Sequence, residues 1–299
     1  MTEQGHCPVL PTEVLELLSV GREGVYVDCT LGLAGHAVAI LERNPRASLV
    51  GLDRDEISLR QARERLMPFG GRVRLYHTDF KYLPELGIDF RDVRGVLVDL
   101  GISSFQLDSP ERGFSFNQEG PLDMRMDQRS KITAGKVIHT YSEQKLADLF
   151  ETCGELPHSR RLAREVVRLR KLGRVETTSD LRGIVEEVYR WRPQKGKIHP
   201  AAKAFQALRI EVNRELEGLA EFLEETVRMS VAGTRFVAIS FHSLEDRIVK
   251  HTFAGLASAR DREPLLTILT RKPVMAGPDE IAGNSRARSA KLRAAERAE

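Results

Sequence analysis

The stretch Gly24-Val25-Tyr26-Val27-Asp28-Cys29-Thr30-Leu31-Gly32-Leu33-Ala34-Gly35-His36 decides the fold. A short run rich in β-branched and aromatic residues reads as a strand ending at Asp28. The small residues Gly32, Ala34 and Gly35 then allow a tight turn into a helix running through Arg43. Such a turn presents free backbone N–H groups to a ligand at the helix N-terminus. It also serves as an ordinary strand-to-helix connection. It is not the G-x-G-x-x-G of dinucleotide enzymes, because only Gly32 and Gly35 are present.

The same alternation continues outward. Further strands are predicted at 48–53, 73–77 and 95–99, with a helix at 56–67 between the second and third. Strands and helices at this spacing predict right-handed βαβ units on a parallel sheet. Each strand ends on or just before an acid: Asp28, Asp53, Asp79 and Asp99. A carboxylate ending the second strand can take the ribose hydroxyls of an adenosine. Asp79-Phe80 offers a polar group for an adenine edge and a ring for stacking. Four acids in a row favour an adenosyl ligand with a positively charged tail over the pyrophosphate of a nicotinamide dinucleotide.

From about Ser109 to Glu217 the strand signal disappears and amphipathic helices take over. One is predicted over 142–150 with Ser142 as N-cap, and one over 159–172. A third is capped by Thr178-Ser179-Asp180, and a fourth spans Ala201 to Arg228. Strands return at 235–241 and 265–269. The expected organisation is one discontinuous α/β domain, 1–108 with 218–299, carrying an inserted helical domain at 109–217.

Of the 299 residues, 41% are hydrophobic and 30% charged, and no run approaches the roughly 20 apolar residues of a membrane span. The N-terminus lacks a signal-peptide pattern. Cys7, Cys29 and Cys153 form no C-x-x-C pair, which points to a reducing cytoplasm rather than a zinc site. Histidines and acids show no metal-ligand spacing, so no metal is expected. The net charge is only +3, but residues 155–215 hold 15 Lys/Arg against 8 Asp/Glu. Local basic surplus on a near-neutral chain suits a polyanion-binding face, or a solvated helix surface.

Several segments, in order, carry a more specific signal. They are His6-Cys7-Pro8-Val9-Leu10, Asp28-x-Thr30-Leu31-Gly32 with Gly35-His36, and Asp99-Leu100-Gly101-Ile102-Ser103-Ser104-Phe105-Gln106-Leu107-Asp108. Arg112-Gly113-Phe114-Ser115-Phe116 and Gly120-Pro121-Leu122-Asp123-Met124-Arg125-Met126-Asp127 follow. Later come His199-Pro200-Ala201, Phe205-Gln206-Ala207-Leu208-Arg209-Ile210 with Asn213 and Glu215, Ser240-Phe241-His242-Ser243-Leu244-Glu245-Asp246-Arg247, and 284–293. Together they resemble the RsmH (MraW) family of 16S rRNA cytosine-N4 methyltransferases.

The resemblance implies a Rossmann-like class I methyltransferase sheet and an inserted all-helical substrate-recognition domain. It also implies S-adenosylmethionine as methyl donor. The acceptor would be the N4 amino group of a decoding-centre cytosine, position 1402 in the usual rRNA numbering, within the small ribosomal subunit. Cofactor contacts would be Ala34, Gly35, His36, Asp53, Phe80, Asp99 and Gln106. The sequence departs from the family where Ala34 replaces a glycine and Phe105 a proline. Alanine sits comfortably only at negative φ, so a slightly reshaped turn is expected.

Cytosine N4 is a poor nucleophile, and an acceptor for its hydrogens would help. Asp99, Ser103 and Ser104 are the candidates, with His242 as a second source. Phe105, Phe114 or Phe116 could stack an extruded base. Arg160, Arg164, Arg168, Lys171, Lys195, Lys197 and the Arg-rich C-terminal tail are candidate phosphate contacts, which position RNA without reading its sequence. The alternatives are a non-catalytic RNA-binding assembly factor and a nicotinamide-dependent oxidoreductase.

Overall fold

A computed structural model describes residues 8–194, 196–258 and 263–299. His6, Cys7 and Lys195 fall outside the described residues. The chain forms two compact units, Met1–Gly101 with Leu216–Glu299, and Ile102–Glu215. The division falls a few residues earlier than the sequence suggested. The segment after Gly101 is already helical, with Ser103 and Gln106 closing a reciprocal capping box.

The first unit runs α1 (Pro11–Leu17), β1 (Gly24–Asp28), α2 (Gly35–Arg43), β2 (Ala47–Asp53), α3 (Glu56–Leu66), β3 (Val73–His77) and β4 (Val93–Asp99). The second unit follows with α4 (Ser104–Asp108), α5 (Ala134–Thr140), α6 (Glu143–Thr152), α7 (Ser159–Arg170), α8 (Thr178–Tyr189) and α9 (Pro200–Asn213). The chain returns to the first unit through α10 (Leu219–Met229), β5 (Arg235–Ser240), α11 (Ser243–Leu256), β6 (Leu266–Ile268), α12 (Pro278–Gly283) and β7 (Lys291–Arg297).

The sheet order is β3-β2-β1-β4-β5-β7-β6. The first five strands are parallel, as the βαβ spacing predicts, and β7 is antiparallel to both of its neighbours. β2 and β4 are buried along nearly their whole length, as befits a sheet covered on both faces. One side is packed by Phe80, Phe222, Phe236 and Phe253, and the other by Leu10, Leu18, Tyr26 and Ile40. Gly51 is required by packing. A Cβ there would sit 2.9 Å from Leu75 and 3.0 Å from Leu31.

The second unit has its own core, including Phe114, Met124, Phe150, Leu162, Val166, Val185 and Phe205. Ser142 caps α6 by accepting the Lys145 N–H, as expected. Helix α8 is capped by Thr177 rather than by Thr178-Ser179-Asp180, with Asp180 completing the box from inside the helix. The long helix expected over 201–228 is two. Arg214 is left-handed at the end of α9, and Gly218, with φ 75°, precedes α10. Glycine tolerates that conformation without the Cβ clash.

The C-terminal tail is not a loose basic arm. Leu292, Ala294 and Ala295 of β7 are fully buried. The Arg293 side chain, 10% exposed, donates to Asp246 at 2.6 Å, and Lys291 reaches the same carboxylate at 3.4 Å. Arg297 donates to the backbone carbonyls of Leu265 and Ala298. Burial opposes ionisation of Asp246, yet Arg293 and Lys291 hold it below the usual carboxylate range. Removing one partner of such a pair leaves an uncompensated charge. Arg293→Ala is therefore expected to lower the unfolding free energy by about 3 kcal/mol in a urea titration near pH 7. The deficit should shrink as pH falls through the folded-state pKa of Asp246, where the carboxylate protonates. An unchanged urea midpoint would make the pair dispensable.

Candidate active site

The carboxyl ends of β1, β2 and β4 are adjacent in the sheet and bring Asp28, Asp53 and Asp99 to one edge. Thr30 ties two of these ends together. Its Oγ1 accepts the Asp99 N–H at 2.7 Å, and its own N–H donates to Asp28 Oδ1 at 3.2 Å. Asp53 organises the turn. Its Oδ2 accepts the Gly32 N–H at 2.7 Å and its Oδ1 the Asp55 N–H at 2.8 Å. Each oxygen keeps a second lone pair for a ligand hydroxyl.

The turn before α2 uses two left-handed residues, Gly32 (φ 51°) and Ala34 (φ 62°). The alanine at position 34 thus sits in the left-handed region rather than at negative φ. Alanine takes the strained conformation instead, at a cost of about 1 kcal/mol. Its methyl is fully buried with Leu31, Ala37 and Leu41. Ala34 offers no side-chain cap, so the first amides of α2 open on the turn. Gly35 has Pro8 against it, within 3.1 Å of where a Cβ would stand.

His36 is buried, and its Nε2 lies 3.5 Å from Asp99 Oδ2. Neither ring nitrogen makes a hydrogen bond, and Asp99 Oδ1 is equally without one. Buried polar atoms left without partners are rare and costly, and they mark a place where a ligand's polar groups fit. Asp28 is 1% exposed. Burial is the main cause that pushes its carboxyl up to about 7, with Asp99 and Asp53 adding repulsion against relief from His36 and the Thr30 amide. Desolvation likewise raises Asp53, to about 6, against the amides of Asp55 and Gly32.

Ala34, Gly35, His36, Asp53 and Asp99 thus share one edge of the first unit. Phe80 is different. It is buried, with its ring centroid 4.9 Å from that of Phe222, so most of its surface serves the core. Asp79 caps the turn after β3 through the Lys81 N–H and pairs with Arg54 at 3.2 Å.

His242 caps α11. Its Nδ1 accepts the Glu245 N–H, and Glu245 Oε2 in return accepts the N–H groups of Phe241 and His242. Its Nε2 lies 3.1 Å from Glu245 Oε1. A histidine and an acid do converge here, contrary to the sequence expectation, but as a buried capping pair. The Nδ1 atom is taken up as a helix cap, while Nε2 makes no hydrogen bond of its own.

In the second unit, Ser103 Oγ accepts the Gln106 N–H and Gln106 Oε1 accepts the Ser103 N–H, while Ser104 is buried. Of the stacking candidates, Phe114 is core and Phe116 is already stacked on His199 at 5.1 Å, leaving Phe105 half-buried. On α7, Arg160, Arg161 and Arg164 line an open groove of about 550 Å³ with His158 and Glu151. Arg168 is held by Glu165 on its own helix, whereas Lys171 and Lys197 are exposed. The sequence reading counted Asp28 among the acidic strand ends but named neither it nor Thr30 as a contact, and gave no role to Arg161. The motif spacing Asp28-x-Thr30 carried the signal for the first two.

Among proteins of known sequence, a model described as the MraW methylase family matches residues 3–298. A protein of a Cyanothece species named ribosomal RNA small subunit methyltransferase H is 47% identical over 292 residues, covering 98% of this chain and 94% of its own. Proteins of the same name from Desulfovibrio desulfuricans and Persephonella marina are 47% and 44% identical, each covering 98% of this chain. Of their own lengths, 94% and 99% are matched.

Asp28 prefers its protonated form in the fold, so its contribution to stability is fully present near pH 4 and lost as pH rises through about 7. Asp28→Asn is expected to melt higher than the unsubstituted chain at about pH 8, with the gain shrinking toward about pH 5. Equal gains at both would mean that Asp28 ionises without penalty.

Proposed function

The chain belongs to the MraW methylase family, and on that premise we propose that it methylates the N4 amino group of a decoding-centre cytosine in 16S ribosomal RNA. S-adenosylmethionine is the methyl donor, and its sulfonium supplies an already activated methyl group. The observation that carries the reading is the acidic edge holding the unpartnered buried atoms of His36 and Asp99. That edge, beside the left-handed turn at Gly32 and Ala34, fits a ligand with a cationic amino-acid tail and a ribose. Asp53 would hold the ribose hydroxyls, while the α2 amides, His36 and Asp99 would take the tail. Phe80 would contribute at most a ring edge, and Gln106 would contact the cofactor only with what its capping role leaves.

The enzyme's own task is positioning, which converts an encounter into an effectively intramolecular step. An acceptor for the N4 hydrogens favours the nucleophilic nitrogen. Asp99 is the first candidate, because one of its carboxylate oxygens is uncommitted. Ser103 and Ser104 follow, one engaged as a helix cap and one buried. The groove arginines Arg160, Arg161 and Arg164, with Lys171 and Lys197, form the RNA-facing set, and the site of action is the cytoplasm. Among the described residues no helix is long and apolar enough to cross a membrane.

Nucleoside mass mapping of rRNA from a strain lacking this gene tests the substrate. Loss of N4-methylcytidine from 16S rRNA is expected, and its persistence would overturn the assignment. Asp99→Asn is expected to lower kcat about a hundredfold. His242→Asn should keep turnover, since asparagine caps helices equally well, and a comparable loss there would return His242 to the chemistry. Replacing Arg160, Arg161 and Arg164 by Gln should weaken RNA binding and flatten its log–log salt slope by about 2, leaving cofactor affinity unchanged. An unchanged slope would make that groove a solvated surface.

A further inference from the structure

The acidic edge has an unusual charge balance. Asp28 faces His36 from α2, Asp53 from β2 and Asp99 from β4, and accepts one hydrogen bond, from Thr30 in its own turn. No lysine or arginine pairs with it among the described residues. Asp53 faces Asp55 and Arg54, but Arg54 is drawn to Asp79. Asp99 has His36 beside it. Among the described residues, the three carboxylates thus have the His36 imidazole beside Asp99 and Arg54, shared with Asp79, beside Asp53, while Asp28 has no cationic side chain paired with it. The Asp28 carboxyl is removed from water without the partners that normally stabilise its ionised form.

Resting on the S-adenosylmethionine reading, we propose that Asp28 is a specificity-determining residue that lets this cluster tell the cationic donor from its neutral-sulfur product. The ammonium tail, common to donor and product, is met by His36 and Asp99, so the added charge of the sulfonium alone displaces the proton that the empty cluster holds on Asp28, and the product S-adenosylhomocysteine, which lacks that charge, leaves it in place. Binding of the donor thus exchanges one bound proton for one positive charge, and the net charge of the site is conserved. After transfer the sulfur is a neutral thioether. The cluster then regains its excess of negative charge, takes up the proton that N4 releases on methylation and loses its hold on the product.

The magnitudes agree with this exchange. With burial raising Asp28 to about 7 and Asp53 to about 6, the empty edge carries roughly one proton in slightly acid solution, the range in which the exchange is read. A cation placed within hydrogen-bonding reach brings a carboxylate's pKa down by roughly one to three. That is enough to release the proton when the donor binds. Thr30 positions Asp28 for this role, and the Gly32 amide holds Asp53 in place.

Isothermal titration calorimetry of the full chain with each ligand tests the proposal. Run near pH 6.5 in buffers of different ionisation enthalpy, it counts the protons released. Kd measured between about pH 5.5 and about pH 7 gives the linkage slope, in a range where the ammonium tail of either ligand stays charged. The donor is expected to release close to one proton more than the product. Its Kd should tighten about tenfold across that range, against less than about threefold for the product. Asp28→Asn should still bind the donor but lose most of its slope. Equal proton counts and slopes for the two ligands would overturn the proposal while leaving the cofactor reading intact. If neither ligand binds, the cofactor reading falls and the proposal with it. The proton count on the unsubstituted chain decides the matter even where Asp28→Asn fails to fold.

Discussion

Ending adjacent parallel strands on carboxylates is the constraint to which the rest of the first unit answers. Parallel strands finish at the same edge, so Asp28, Asp53 and Asp99 cannot be separated once β1, β2 and β4 are in register. Water is largely excluded from Asp28, and Arg54, beside Asp53, also pairs with Asp79. The surrounding devices manage this repulsion. Thr30 spans two strand ends, backbone amides serve Asp53, the uncapped amides of α2 face the same turn, and His36 lies beside Asp99. Each is a partial positive charge on rigid backbone or a buried ring. The arrangement stays under-neutralised.

Much of the sheet was legible because its strands are short apolar runs bounded by turn residues and acids. β7 was not. Its arginines made 291–297 look like a solvent-facing tail, and the partner that buries Arg293, Asp246, is distant in sequence. The break between α9 and α10 was hidden because Arg214 adopts a left-handed conformation that its residue type does not advertise. The turn from Asp28 to His36 was legible as a tight strand-to-helix connection. Its strain at Ala34 was not, since φ depends on what the whole unit enforces. His242 and Gln106 attracted attention as polar residues in motifs, and both make local helix-capping bonds that sequence spacing alone does not separate from catalysis.

The second unit carries the same lesson on a larger scale. Its most distinctive segments, around Arg112 and from Gly120 to Asp127, hold irregular backbone in place. Arg112 donates to the carbonyls of Arg125 and Met126, and Arg125 clasps Asp123. Asn213 accepts the Met126 N–H and donates to the Met124 carbonyl. A Cβ on Gly113 would lie 2.0 Å from the Pro121 carbonyl oxygen. Polar side chains here replace the hydrogen bonds that a helix or sheet would have supplied. On α7 itself, Arg164 reaches Glu143, Arg168 pairs with Glu165 and Arg170 donates to the Ile138 and Tyr141 carbonyls.

β4 and β5 are hydrogen-bonded neighbours, yet the whole of the second unit lies between them in the chain. Joining them through an unstructured connection would carry a loop-closure entropy on the order of 4 kcal/mol. If residues 102–215 fold first around their own core, only short flexible stretches remain to be closed. In that order of folding the inserted unit would act as a kinetic organiser of the sheet. Loosening its interior would slow assembly of a cofactor edge to which it contributes no strand.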